Sequence, residues 1–282
     1  MAEETLITAA ETARHLGDPG WILVDCRFQL GEPDRGRRDH EAGHIPGAVY
    51  AHLNQDLSGP IIPSRTGRHP LPDVQAATRT FSKWGITDGV QVVVYDDAGG
   101  AIAARLWWML RWLGHDAVAV LDGGWPAWIE GGFPVSADAA EPAPQRFTAR
   151  PRHERVVSTD QVLERLGDPT WRLVDSRIPA RYRGELEPID PVAGRIPGAI
   201  NAPHGENVGP DGRFLPTQTL RARFHSLVGD TPMGHTVFYC GSGVTAARNI
   251  LTAVHAGLEE PRLYAGSWSE WITDSNRPIE TG

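Results

Sequence analysis

The chain is written twice, and that constrains its fold more than any other feature. Trp21-Ile-Leu-Val-Asp25-Cys-Arg27 returns as Trp171-Arg-Leu-Val-Asp175-Ser-Arg177, and Gly43-His-Ile-Pro-Gly-Ala-Val49 returns as Gly194-Arg-Ile-Pro-Gly-Ala-Ile200. Val92-Val-Val-Tyr95-Asp96 corresponds to Val237-Phe-Tyr239-Cys240 with its neighbours, and Leu121-Asp-Gly-Gly-Trp-Pro-Ala-Trp128 to Tyr264-Ala-Gly-Ser-Trp-Ser-Glu-Trp271. The four pairs keep the same order at nearly constant spacing. Their period is too long for a solenoid repeat, so the chain reads as a duplicated domain. Ala137 to Pro151, rich in Ala and Pro and poor in large apolar residues, reads as a semi-extended linker. The expected division is residues 1–136, a linker over 137–151, and residues 152–282.

Within each copy, short β-branched runs (Trp21–Val24, Val90–Tyr95, Ala117–Leu121; Arg172–Val174, Thr236–Tyr239, Arg262–Tyr264) alternate with helical stretches such as Ala101–Leu113 and Thr245–Ala256. Buried strands alternating with helices predict an α/β fold, each copy a parallel sheet with helices on both faces. The Ile-Pro-Gly-Ala segments sit where the chain turns into a short edge strand.

Composition narrows the function classes. The 282 residues carry a formal charge of −8 with no basic block, which argues against nucleic acid and anionic membranes as partners. Lys83 is the only lysine, so nearly all positive charge is arginine. Acids at Glu3 and Glu4 and the lack of a long apolar run argue against a signal peptide or membrane span. Two cysteines, Cys26 and Cys240, are too few for a disulfide framework or a cysteine-rich zinc site. The expectation is a cytoplasmic protein without metal or organic cofactor.

The chemistry points to Thr236-Val-Phe-Tyr-Cys240-Gly241-Ser242-Gly243-Val244-Thr245-Ala246-Ala247-Arg248. A buried strand ends at Tyr239 and a helix starts near Thr245, so Cys240 lies at the carboxyl end of a parallel strand, where open α/β sheets bind ligands. A loop of small residues and two glycines can turn successive N–H groups toward one centre at a helix N-terminus. An anionic sulfur is favoured there, and so is a persulfide. A lone cysteine after a strand is more often a small buried apolar residue. The duplicate argues otherwise, because the first copy carries Asp96 in Tyr95-Asp-Asp-Ala-Gly-Gly100 at the same place. Cys26, aligned with Ser176, reads as structural.

The repeat, the linker and the Cys240-Gly-Ser-Gly-Val-Thr-Ala246 loop resemble the two-domain rhodanese superfamily over essentially the whole chain, and the loop resembles its 3-mercaptopyruvate branch. The thiosulfate branch carries basic residues directly after the cysteine, where this chain has Gly241 and Ser242. The resemblance implies an inactive first domain and a site in the cleft between the domains. It makes Cys240 the persulfide-forming nucleophile, cradled by Gly241, Gly243, Val244 and Thr245. Ser242 matches a serine in a relay with a histidine and an aspartate of the first domain, and the segment Asp56-Leu-Ser-Gly-Pro-Ile-Ile-Pro-Ser-Arg-Thr-Gly-Arg-His69 resembles the one supplying them. Arg181 matches an arginine that holds the substrate carboxylate. A second arginine, nine residues on in that branch, falls here at Asp190, leaving Arg183 or Arg195 to compensate.

The implied reaction is ping-pong sulfur transfer. A small-molecule donor, 3-mercaptopyruvate or alternatively thiosulfate, loads Cys240; cyanide, a small thiol or reduced thioredoxin unloads it. Two rivals are a non-enzymatic sulfur-relay module and a Cys-x5-Arg phosphatase. Against the phosphatase, Ala246 stands six residues after Cys240 and the nearest following arginine is Arg248.

Overall fold

The computed structural model describes residues 4–282. They form two units: the first runs through Gly59 and includes Pro72–Arg152 and Pro210–Phe214, and the second comprises Pro60–Leu71, His153–Gly209 and Leu215–Gly282. The division differs from a cut at the linker in two short segments. Pro60–Leu71 belongs with the second copy and Pro210–Phe214 with the first. The Ala/Pro-rich stretch has no helix or strand from Ala139 to Arg152. It is laid along the first unit, where Phe147 is buried edge-on against Phe81 and its N–H donates to the Ser82 hydroxyl.

The first unit has strands β1 (Leu6–Ile7), β2 (Trp21–Asp25), β3 (Val49–Tyr50), β4 (Gln91–Tyr95) and β5 (Val118–Leu121) in the order β1-β5-β4-β2-β3, all pairs parallel. The second has β6 (Arg172–Asp175), β7 (Ile200–Asn201), β8 (Thr236–Tyr239) and β9 (Arg262–Leu263) in the order β7-β6-β8-β9, again all parallel. Apart from β1 the orders are identical. A single parallel bridge, Val156 to Leu263, marks the corresponding place in the second copy. As the pattern predicts, the Ile-Pro-Gly-Ala segments run into the edge strands β3 and β7.

The sheets are buried on both faces, which is why their strands read as continuous apolar runs. In the first unit Leu23, Val93, Tyr95, Ala119 and Leu121 pack with Trp128, while the alternate residues Val24, Val92, Val94, Val118 and Val120 are also fully enclosed. In the second, Val237 and Tyr239 pack with Trp268 and Trp271, and Phe238 meets Phe224 from the other face.

The repeated motifs converge on one buried ion pair per copy. Arg27 forks onto Asp25 (2.6 and 2.9 Å), donates to the Gly43 carbonyl and lies over the Trp125 ring. Arg177 does the same with Asp175, Gly194 and Trp268. The Tyr95 and Tyr239 hydroxyls accept the Ile45 and Ile196 N–H groups. Each pair ties a strand end to the Gly-x-Ile-Pro-Gly-Ala turn and the Gly-x-Trp helix, so three distant motifs recur together. Removing one partner from such a pair leaves a buried charge and costs about 3–5 kcal/mol.

Candidate active site

β8 ends at Tyr239, and the helix Ala246–His255 begins after a six-residue turn. That turn is fixed from outside by the Gly-Ser-Trp-Ser segment. The Trp268 and Ser269 N–H groups donate to the Cys240 and Gly241 carbonyls (3.0 and 2.9 Å), and the Cys240 N–H donates to the Ser267 hydroxyl (3.1 Å). With its carbonyls held outward, the loop turns its N–H groups inward. Gly243 donates to Cys240 Sγ at 3.1 Å; the Ser242 and Ala246 N–H groups and the Thr245 hydroxyl donate to the same sulfur. Thr245 stands at the helix N-cap yet does not cap it with its side chain; the hydroxyl serves the sulfur instead.

Burial is the largest influence on the Cys240 thiol and pushes its pKa up; the Thr245 hydroxyl and the three N–H donors outweigh it together, so the net shift is downward. Cys240 is therefore a thiolate at lower pH than an ordinary cysteine. Cys26 is the opposite case. Burial first, then the charges of Asp25, Asp96 and Asp56, raise its thiol well above the ordinary value.

The first copy shows the same loop around a different anion. Asp96 Oδ1 accepts the Ala98 and Gly100 N–H groups, both at 2.8 Å, and Oδ2 accepts those of Ile102 and Ala103 at 2.7 and 2.8 Å. The carboxylate fills the nest that Cys240 sulfur occupies in the second copy.

Ser242 and His69 are both buried, and His69 Nδ1 lies 2.7 Å from the Ser242 hydroxyl oxygen. The preceding residues are docked too, since the Arg68 N–H donates to the Ser269 hydroxyl. A Cβ at Gly67 would lie 2.7 Å from the Gly266 carbonyl, so this close approach needs glycine. Asp56 belongs to the first unit, where its carboxylate accepts the His52 N–H at 2.8 Å and burial raises its pKa.

Arg181, on the short helix Pro179–Tyr182, forks onto Glu187 (2.7–3.1 Å) and reaches Asp190 (3.0 Å). Its guanidinium lies over Gly241. A Cβ built there would meet Arg181 Nη1 and Nη2 at 3.4 Å and Arg68 Nη2 at 2.9 Å. The second guanidinium above the loop is thus Arg68, which the sequence did not single out. Its signal was adjacency to His69. Arg183 is exposed and forks onto Glu185, while Arg195 is tied to Glu280 and the Gly282 carbonyl. Gly241 leaves room for the two arginines, Val244 is buried in the loop, and Ala246 is a sulfur donor that residue type could not reveal. Arg248, the nearest arginine after Cys240, has its guanidinium 3.1 Å from His204 Nδ1, and burial with the Arg248 charge lowers that imidazole to about 3.

The rhodanese-like domain model matches residues 8–130 and 158–274. The chain belongs to the rhodanese family. It is a sulfurtransferase of that family: it is 46% identical, over the full length of both chains, to a probable 3-mercaptopyruvate sulfurtransferase of Pseudomonas aeruginosa. It is 41% identical to a putative thiosulfate sulfurtransferase, SseB, of Mycobacterium tuberculosis, over 99% of this chain and 98% of that one. The solved 3-mercaptopyruvate sulfurtransferase from Leishmania major superposes with a TM-score of 0.86 at 30% identity, covering 98% of this chain and 76% of that one. No described helix is long and apolar enough to cross a membrane.

Proposed function

We propose that the protein transfers sulfane sulfur from 3-mercaptopyruvate, through a Cys240 persulfide, to a thiol acceptor such as a small thiol or reduced thioredoxin, or to cyanide, and that it acts in the cytoplasm. The observation that carries the donor assignment is the 2.7 Å contact of His69 with Ser242, two residues from the nucleophile. The Cys240 thiolate attacks the donor sulfur. The carbon–sulfur bond breaks with its electron pair going to carbon, leaving the enolate of pyruvate. The donor's own S–H proton balances the reaction by ending on that carbon, and the Ser242–His69 pair carries it. The Ser242, Gly243 and Ala246 N–H groups and the Thr245 hydroxyl hold the negative charge as it passes to the outer sulfur of the persulfide. An acceptor thiolate then attacks the outer sulfur and releases Cys240 thiolate, so one difficult step becomes two easier ones. Arg181 and Arg68 over Gly241 suit the donor carboxylate.

Thiosulfate is the second reading, because two guanidiniums fit a sulfonate-like anion as well. Steady-state rates with both donors decide between them by kcat/KM. Mass spectrometry of donor-treated protein should find one added sulfur on the Cys240 peptide, Cys240→Ser should be inactive with either donor, and Cys26→Ser should retain activity. Turnover by Cys240→Ser, or a higher kcat/KM with thiosulfate, would displace the respective part of the reading.

A further inference from the structure

The two guanidiniums over Gly241 belong to a chain of linked ion pairs. Arg177 pairs with Asp175 and Glu187, Arg181 with Glu187 and Asp190, and Arg68 with Asp190. Three cations thus meet three carboxylates, and all of them belong to the second unit. Asp190 is distinctive among the acids. One oxygen faces Arg68 and the other lies 3.0 Å from Arg181, so the carboxylate bridges the two guanidiniums that lie over Gly241. A donor carboxylate needs the same bridging position.

The two arginines are not equally committed to Asp190. Arg181 has a second anchor in Glu187, whose side chain is 4% exposed and holds it through both Nε and Nη2. Arg68 has Asp190 as its one side-chain ion pair, and its buried Nε–H meets no partner among the described residues. Without Asp190, Arg181 would keep its Glu187 anchor, whereas Arg68 would lose its ion pair. Asp190 itself is buried, in a bend beside Ile189, which is 41% exposed.

We propose that Asp190 is an internal stand-in for the donor's anionic group: it bridges Arg68 and Arg181 over the Cys240 loop and is exchanged for the donor carboxylate, with Arg68 the second donor-binding guanidinium. This rests on the donor site proposed above and deepens it. It also accounts for an acid at the position nine residues after Arg181. The stand-in has a consequence for selectivity. With Asp190 in place the cluster is formally neutral, and a like charge beside the site repels a dianion about twice as strongly as a monoanion. Asp190 therefore favours a monoanionic mercapto acid over dianionic thiosulfate.

The test combines Asp190→Asn, Asp190→Ser and Arg68→Gln, with exposed Arg183→Gln as control. Asp190→Asn and Asp190→Ser should lower KM by about 3-fold for 3-mercaptopyruvate and about 10-fold for thiosulfate, with kcat nearly unchanged, following the donor charges. Arg68→Gln should raise KM for both donors by roughly 10-fold, as loss of a charge-assisted hydrogen bond does, and adding Asp190→Asn to it should recover less than in the wild-type background. Protection of Cys240 from iodoacetamide by pyruvate provides a readout without turnover: it should need less pyruvate in Asp190→Asn and more in Arg68→Gln. A raised KM and weaker protection in both Asp190 variants would make Asp190 a brace for the arginines and overturn the exchange. Wild-type protein that fails to turn over 3-mercaptopyruvate but shows these shifts in pyruvate protection would refute the donor reading and leave the exchange standing.

Discussion

His69 and Ser242, 173 positions apart in sequence, meet at 2.7 Å between an imidazole nitrogen and a hydroxyl oxygen, both buried. If the pair delivers a proton, its effect depends on the leaving group. Mercaptopyruvate expels a carbon base that must be protonated, whereas thiosulfate expels sulfite, which departs without a proton. Ser242→Ala and His69→Ala should each lower kcat/KM for mercaptopyruvate by about 10²- to 10⁴-fold and affect thiosulfate far less. The double variant should be little worse than either single one. Equal losses with both donors would reduce Ser242 to a part of the sulfur cradle.

The lowered pKa of Cys240 has a direct readout. Alkylation by iodoacetamide should rise with pH to a midpoint below that of an ordinary thiol, about 8.5, while Cys26, fully buried with its thiol pushed up, stays unmodified in the folded protein. Thr245→Val removes the hydroxyl that is the foremost opponent of desolvation at Cys240, so the midpoint should move up. A midpoint that does not respond to Thr245→Val would remove that hydroxyl from the cradle.

Gly243 has φ +76°, and a Cβ there would lie 2.2 Å from the Ala265 carbonyl oxygen. Gly198 has a similar φ of +74° with nothing within 4 Å of its Cβ position. Gly198→Ala should therefore cost about 1–2 kcal/mol, the left-handed penalty alone. Gly243→Ala should cost more and also reduce turnover, because its N–H leaves the sulfur. Chemical denaturation and initial rates measured together separate the two effects; equal stability losses would contradict the predicted backbone clash.

Asp96 tests the nest without touching the catalytic loop. Asp96→Ala strands four N–H groups that the carboxylate now accepts. The expected destabilisation is about 3 kcal/mol or more, since hydrogen bonds to charged groups are worth roughly 1.5–3 kcal/mol each. Asp96→Asn, which keeps an acceptor oxygen, should lose less. A urea midpoint for Asp96→Asn within a few tenths of the wild-type value would show that the nest does not depend on the charge.

Duplication, parallel sheets and the position of Cys240 were legible because they rest on periodicity and on motifs that recur in order. The strand β8 was read at its observed limits, Thr236–Tyr239, since a buried run between turn residues leaves little freedom. The association of Pro60–Leu71 with the second copy was not legible, because a Pro-rich loop has no periodicity and is placed by contacts such as Arg68 to Ser269. Within the cradle, Gly243 was readable because its conformation demands glycine, but Ala246 was not, since any residue supplies an N–H. Asp190 appeared as an anomaly; its partner Arg68 needed the side-chain geometry, because a surface arginine and a bridging one look alike in sequence.

The two nests also mean that this fold is built around stored negative charge, and that catalysis shares the storage. In the first copy the charge sits on a carboxylate that accepts four N–H groups. In the second it is a proton equilibrium: the thiol is more acidic in the folded chain than in the unfolded one, so that contribution to stability is complete above the ordinary thiol range and fades as pH falls through the folded value. Persulfide formation preserves an anion in the nest, whereas alkylation of Cys240 abolishes it. The resting and sulfur-loaded forms are thus both native fillings of the same hole, and an irreversibly capped enzyme is one whose second unit has lost its internal counter-ion.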